Sequence, residues 1–283
     1  MADVHYLREA AMRLVTWKRV LLGSGFGSVA LAARGTVELL RATYGSPESI
    51  GTLVNDQLAT FLTTRLCLPK KGFIDVGAHI GSIISQVAHY DASIKLYAVE
   101  PIPEKISILR RMFPTIELHQ CALGESDGEI TFYVNIKRSA YSSLAKPAND
   151  LNTVEINVPL RKLDSIIASD DIDVLKIDVE GAELGVLRGG DKLIARSRPL
   201  IMFESAPTAY DELGCTKGPL WEWLHEREFD IVVPNRVAHT GPGLNLEGFV
   251  EAHYYPFRTT NYFAIPKERR LEIRDRARSL LYP

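Results

Sequence analysis

The sequence predicts an α/β protein built on an open, doubly wound, mostly parallel sheet with helices on both faces. Three observations lead there. Between Gly72 and Glu204, short apolar runs alternate with stretches of helical periodicity, which means parallel strands joined by right-handed crossovers. The first run, Gly72-Phe73-Ile74-Asp75-Val76, breaks on Gly77 and Gly81 before a new apolar pattern begins, the order of a strand, a tight turn and a helix start. Four strands end at an acid, namely Asp75, Glu100, Asp178 and Glu204, and open α/β sheets bind ligands beyond the carboxyl ends of their strands.

Composition sets the limits. A chain of 283 residues with 46% hydrophobic residues can bury a full core, enough for one large domain with an appendage. A formal net charge of -2 lacks the basic excess of a nucleic-acid-coating protein, so no nucleic-acid partner is expected. Cys67, Cys121 and Cys215 are scattered, with no Cys-x-x-Cys pair. Neither a disulfide framework nor a zinc site follows, and a reducing compartment, the cytoplasm, is the natural location.

Taken in order, residues 1–68 read as a helical appendage. Tyr6, Leu7, Ala10, Leu14, Val15 and Trp17 recur at helical intervals, with Arg8, Arg13, Lys18 and Arg19 between them. The apolar run Val20 to Ala33 is 14 residues long and carries Gly23, Gly25 and Gly27, too short for a membrane span of about 20 residues. Its basic approach and the Ala30-Leu31-Ala32 near its end imitate a secretory signal. A helix pair that packs on the domain, covers the catalytic face or touches lipid through Lys18 and Arg19 fits the pattern better, and peripheral contact with the inner face of a membrane goes with that reading. A second helix covers Ser49 to Leu68.

Strand Gly72–Val76 opens the sheet. A helix follows from about Gly81 to Tyr90, then strand Lys95–Val99, a helix Pro103–Phe113 and strand Ile116–Gln120. A hairpin, Glu129–Val134 with Asn152–Pro159, encloses a polar loop containing Tyr141-Ser142-Ser143. Helix Leu163–Ala168, strand Val174–Asp178, helix Ala182–Gly189 and strand Leu200–Phe203 complete the alternation. Beyond them the pattern predicts a helix Pro219–Glu228 with Trp221 and Leu224 inward, strands Asp230–Val233 and Asn261–Ile265, and a basic helix Lys267–Leu281 with a solvated face. The chain thus divides into an appendage 1–68, a catalytic domain 69–266 and a basic C-terminal helix 267–283.

The spacing of Gly77 and Gly81 is not Gly-x-Gly-x-x-Gly, and no Gly-Lys-Ser/Thr follows, so neither a nicotinamide site nor a P-loop is indicated. The turn offers backbone N–H groups to a small cofactor. Glu100, 25 residues after Asp75, ends the second strand, where a carboxylate can accept hydrogen bonds from both hydroxyls of a ribose. Ala122 and Leu123 are small and apolar enough to lie against a flat base. Each acid taken singly could equally cap a helix or pair with a cation; four in succession are harder to dismiss, and the turn amides with Glu100 describe a nucleoside-containing cofactor.

Asp75-Val76-Gly77-Ala78-His79-Ile80-Gly81, Val99-Glu100-Pro101, Cys121-Ala122-Leu123-Gly124 and Lys176-Ile177-Asp178-Val179-Glu180-Gly181-Ala182-Glu183 resemble the ordered motifs of FkbM-type methyltransferases, which use S-adenosylmethionine. The similarity runs from about Gly72 to Glu204. His79 departs from it, standing where the family usually carries Asn. The resemblance implies a class I methyltransferase (Rossmann-like) fold, with a seven-stranded sheet whose last strand is antiparallel, and O-methylation of a hydroxyl, commonly on a sugar or polyketide. It further implies that Asp75, Gly77, Ala78, His79 and Gly81 line the methionine end of the cofactor, Glu100 and Pro101 the ribose, and Ala122 and Leu123 the adenine. Asp178 and Ser143 are further candidate cofactor contacts on their own position, Ser143 from a polar loop that could equally bond a sugar or be a plain loop.

Methyl transfer is an in-line displacement that gains most from holding the acceptor oxygen against the methyl carbon. A hydroxyl is a poor nucleophile, so a base within reach is expected. Glu180 and Glu204 are the candidates for acceptor binding or proton removal, with Asp178 fixing the cofactor or the loop. Lys176 is a partner that keeps a carboxylate ionised; His239 and His253 are alternative bases. No metal is assigned: a magnesium ion at Asp178, Glu180 and Glu204 would need their oxygens to converge, which a sequence does not display. The expected acceptor is a carbohydrate hydroxyl of a glycan or glycolipid, with Trp221, Trp223, Tyr254, Tyr255 and Tyr262 available to stack on sugar rings. A polyketide or other small metabolite, or a non-catalytic cofactor-binding scaffold, is the alternative.

Overall fold

The computed structural model describes residues 47–135, 153–205, 217–254 and 258–282. The readings over residues 1–46, the loop with Tyr141, Ser142 and Ser143, Cys215 and Tyr255 lie outside these. Helix α1 (Pro47–Thr63) leads through Leu66 and Cys67, both buried, into β1 (Gly72–Val76). Then come α2 (Ser82–Tyr90), β2 (Lys95–Val99), α3 (Pro103–Met112) and β3 (Glu117–His119). Helix α3 starts on Pro103 behind an extended Ile102, with Glu104 in its first turn and Arg110 and Arg111 in its last, an arrangement that matches the helix dipole at both ends.

The predicted hairpin leaves the central sheet. Strands β4 (Ala122–Leu123), β5 (Gly128–Asn135) and β6 (Thr153–Arg161) form a separate three-stranded sheet in the order β4-β6-β5. Its cluster of Ala122, Phe132 and Val158 packs with Ile102, at the foot of α3. The chain returns through α4 (Leu163–Ile166) to β7 (Ile172–Ile177), a wholly buried strand whose polar residues are Asp173 and Lys176. Two short helices follow where one was predicted, α5 (Glu183–Gly189) and α6 (Asp191–Ser197), then β8 (Leu200–Glu204), α7 (Lys217–Glu226), β9 (Phe229–Val232), α8 (Leu246–Glu251), β10 (Asn261–Pro266) and α9 (Arg270–Leu281). On α7 the buried face is Leu220, Trp223 and Leu224; Trp221 is half-buried and donates its indole N–H to the Leu244 carbonyl.

The central sheet has seven strands in the order β3-β2-β1-β7-β8-β10-β9, with β10 antiparallel to both of its neighbours and the rest parallel. This is the expected class I methyltransferase architecture. Side chains alternate between two cores. Ile74, Val76, Leu175, Ile177, Ile201 and Phe203 meet α4 to α8 on one face. Phe73, Val174, Leu200, Met202, Phe263 and Ile265 meet α1, α2, α3 and α9 on the other. Period-two alternation then puts Asp75, Lys176, Glu204 and Asn261 on the second face. The strand order reverses between β1 and β7, and the crevice at such a reversal is where open α/β sheets bind ligands.

Helix α9 is not a freely solvated basic helix. Arg269 and Arg276 grip the buried Asp173 at 2.6 and 2.7 Å, and Arg270 donates to the carbonyls of Arg236, Val237 and His239. Ile273 and Ala277 are fully buried against the sheet. Among the described residues no helix is long and apolar enough to cross a membrane.

Candidate active site

The turn after β1 is built for the protein's own backbone. Gly77 has φ +77°, and a Cβ there would lie 1.9 Å from the Asp178 carbonyl oxygen. Gly81 has φ +83°, and its Cβ would press on Phe113 and Leu109 of the following crossover. Both glycines are therefore required by packing before any ligand is considered. The amides of Gly77 and Ala78 donate to the Val99 carbonyl, that of Gly81 to Ala78, and that of His79 to the Glu100 carboxylate at 2.9 Å. The amides of Gly77, Ala78, His79 and Gly81 are thus engaged internally, and they hold the turn against a fixed acid.

Glu100 is buried. One oxygen takes the His79 amide and the other the Ile102 amide at 3.0 Å, so it ties the turn after β1 to the turn after β2. Each carboxylate oxygen has a second lone pair, which leaves acceptor capacity for a pair of vicinal hydroxyls. Burial pushes Glu100 above the ordinary carboxylate range, opposed by Lys105, whose ammonium stands 3.9 Å away. Burial also lowers Lys105, against the attraction of Glu100, Asp178 and Glu180.

Between β1 and β7 lies a buried cation. The Lys176 ammonium sits 2.9 Å from Asp75 and 3.3 Å from Asp178, and donates to the Gly77 carbonyl at 3.1 Å. Burial by itself would lower its pKa, but Asp178 and Asp75 together hold it above the usual lysine value. Asp75 is wholly enclosed, so it acts on the site through Lys176 and the turn. Asp178 has a side chain 40% exposed to the crevice. Burial would raise its pKa; Lys176 and the Glu204 carboxyl outweigh that and hold it below the ordinary value.

Oxygens of Asp178, Glu180 and Glu204 lie within 4.8 Å of one another. Three carboxylates that close cannot all be ionised. Burial, then the adjacent Asp178, pushes Glu204 up to about 10, so Glu204 is the proton-bearing partner. Burial and Asp178 likewise raise Glu180 to about 7. The backbone of Glu180 is left-handed, at φ +54°, a conformation that costs a non-glycine residue about 1–2 kcal/mol. Glu183 buttresses this loop by accepting from the Val179 and Gly181 amides at 3.3 and 3.1 Å. The result is a neutral acid, an ionised acid anchored by lysine, and a third carboxyl poised near neutrality.

A family model described as the methyltransferase FkbM domain matches residues 75–231, more than half of the chain and all of the site just described. The chain belongs to the FkbM methyltransferase family. S-adenosylmethionine is the methyl donor of that family, and the vicinal-hydroxyl acceptor at Glu100 and the acidic lining beside it fit a ribose and a sulfonium. Methyltransferase 1 of Beauveria bassiana is 29% identical over 149 residues, 44% of this chain and 60% of that protein. The 2-O-methyltransferase NoeI of Sinorhizobium fredii is 24% identical over 149 residues, 46% of this chain and 61% of that one. The match therefore spans about three fifths of either relative. Among solved structures, the FkbM methyltransferase of Methylobacillus flagellatus aligns with a TM-score of 0.42 at 18% identity, over 69% of this chain and 43% of that one.

In this FkbM-family chain the strand ends bring Gly77 against Asp178, His79 against Glu100, and Asp178 together with Glu180 and Glu204. Ala122 and Leu123 are buried, Ala122 against Ile102 and Leu123 in the core of the α4 to α8 face. Tyr262 and Trp223 belong to the core, which removes them as sugar-stacking surfaces, whereas Tyr254 is exposed. His239 is exposed. His253 is buried, bonded to the Phe249 carbonyl and the Ser205 hydroxyl at 2.7 and 2.8 Å; burial depresses it to about 4, so it is neutral. Sequence reasoning passed over Lys105, although it falls in helical phase with Ile102, Ile106 and Leu109, a position where a lysine implies a buried partner.

Proposed function

We propose that this protein is an S-adenosylmethionine-dependent O-methyltransferase whose acceptor is a hydroxyl on a sugar of a glycan or glycolipid. The observation that carries the chemistry is Glu180: a carboxyl held in a strained backbone conformation at the strand ends, raised to about 7, beside an ionised Asp178 and a protonated Glu204. Strain of that kind concentrates at functional sites, and a base is most useful when its pKa is near the working pH. When bound, S-adenosylmethionine supplies an electrophilic methyl group on a positively charged sulfur. Glu180 takes the proton of the acceptor hydroxyl as its oxygen becomes a nucleophile. Glu204, carrying its own proton, donates to Asp178 and can orient a second oxygen of the acceptor; Lys176 keeps Asp178 ionised. Glu100 accepts from the ribose hydroxyls.

The sugar class is supported by the family resemblance and by a relative named for 2-O-methylation. A polyketide or other small metabolite is the alternative acceptor. We place the enzyme in the cytoplasm, in keeping with unpaired Cys67 and Cys121, with peripheral contact at the inner face of a membrane for the residues before α1. No metal is required in this scheme, because a shared proton and Lys176 already relieve the carboxylate cluster. The test is label transfer from methyl-labelled S-adenosylmethionine to a panel of methyl glycosides, lipid-linked sugars and hydroxylated small molecules, with and without EDTA. Label on a glycoside, insensitive to EDTA, is the expected result. Label on a non-sugar alone moves the acceptor class, a cofactor that binds without any transfer points to a scaffold, and loss of activity restored by magnesium assigns the acids to a cation.

A further inference from the structure

Helix α1 is fastened to the rim of the site by one side chain. An oxygen of Asp56 accepts from the Thr259 hydroxyl at 2.8 Å, the Thr260 amide at 3.1 Å and the Asn261 side-chain amide at 3.0 Å, and the other oxygen accepts from the Thr260 hydroxyl at 3.1 Å. Asn261 is paired directly across from Glu204 in the β8–β10 ladder. Both side chains are in phase with the α1 face, where directly opposed Cβ atoms lie about 5 Å apart. Ser205, next to Glu204, is held by the same segment, its amide donating to the Thr260 carbonyl at 2.8 Å.

The direction of α1 follows from its two anchors. Just past its carboxyl end, the Leu68 amide donates to Asp173 at the amino end of β7, the floor of the sheet. Asp56 sits instead at the level of Glu204, at the carboxyl end of β8. The helix therefore climbs toward its own N-terminus, and the nine residues from Asp56 back to Pro47 carry its first turns up to about 13 Å past that level at 1.5 Å per residue.

We propose that Asp56 is a positioning residue for the acceptor side of the site. Through Asn261 it fixes the end of β8 that carries Glu204, and it stands the first turns of α1 beyond the start of β10, next to that end, as a wall for the acceptor. The proposal rests on the methyl-transfer reading above. An asparagine at position 56 keeps its oxygen for three of the four donors and can turn its amide N–H to the Thr260 hydroxyl, so Asp56→Asn preserves the latch while Asp56→Ala deletes it.

The experiment compares wild type, Asp56→Asn and Asp56→Ala with the panel member that wild type labels fastest, alongside S-adenosylmethionine affinity by calorimetry and amide exchange at Ser205 and Asn261. Asp56→Ala is expected to lower kcat/KM for the acceptor by about 10- to 100-fold, as small misplacements of a reacting group do, with donor affinity unchanged and exchange accelerated at both amides. Asp56→Asn is expected to restore acceptor kinetics. Unchanged acceptor kcat/KM in a folded Asp56→Ala protein overturns the proposal, as does an equal loss of donor affinity. If wild type labels nothing, the proposed function fails instead; equal amide exchange in wild type and Asp56→Ala then overturns the latch itself.

Discussion

At the residue scale, the chemistry turns on which carboxyl holds the proton. With Glu180 raised to about 7, kcat/KM should climb about tenfold per pH unit below 7 and level off above it. Glu180→Gln should cost about 10²- to 10⁴-fold in turnover while leaving donor affinity in place; a pH-rate profile and calorimetry check both. Stability carries the opposite signature. Glu180 and Glu183 are raised to about 7 and Glu204 to about 10, so above the unfolded carboxyl pKa of about 4.5 the folded chain binds protons that the unfolded chain has lost. The stabilisation is full below that value and drains away as pH rises, first toward 7 and then toward 10. Urea melts at pH 5 to 9 should show this decline, and Glu204→Gln should flatten its upper part; a stability that rose across that range would contradict the assignment of the proton to Glu204. These residues were legible as strand-end acids because an apolar run that closes on a carboxylate is expensive without cause. Their convergence was not, since the distance between oxygens on β7 and β8 depends on register and loop path rather than on local pattern.

Between elements, Lys176 is the joint. It bonds β1 through Asp75 and the Gly77 carbonyl, and the loop after β7 through Asp178. Lys176→Met would leave the enclosed Asp75 beside a hydrocarbon chain, a loss of about 3–5 kcal/mol by the usual cost of breaking a buried pair, visible as a large drop in the thermal midpoint. A melt within experimental error of wild type would show that the pair contributes little. Short apolar runs predicted every strand but the two-residue β4 to within about two residues, because fully buried parallel strands are written as such runs between glycine and proline signals. The same logic could not say that β5 and β6 would form their own sheet: a hairpin carries no local signal for which edge it joins. His253 shows the converse. A histidine among loop residues reads as exposed, and only the packing of α8 over Ser205 encloses it.

For the molecule as a whole, α1 and α9 close one face of the sheet from opposite ends of the described chain. Deleting residues 267–283 would strip Arg269 and Arg276 from Asp173 and uncover the core around Ile273 and Ala277. That truncation should yield aggregated protein without donor binding; a soluble product that still binds S-adenosylmethionine would make the C-terminal helix a separable unit after all. The overall architecture was readable because the boxes around Asp75, Glu100 and Asp178 close β1, β2 and β7, neighbours in one sheet, whereas the latch between α1 and the start of β10 was not, since its residues lie some two hundred positions apart. One contact separates these two kinds of feature. Where Gly77 meets the Asp178 carbonyl, main chain touches main chain, with no side chain between donor turn and acid loop to be exchanged for a longer or shorter one. Under the proposed methyl transfer, point substitution can therefore reshape the acceptor side by recarving α1 and its neighbours, while the spacing between the glycine turn and the acid loop is set by main chain alone.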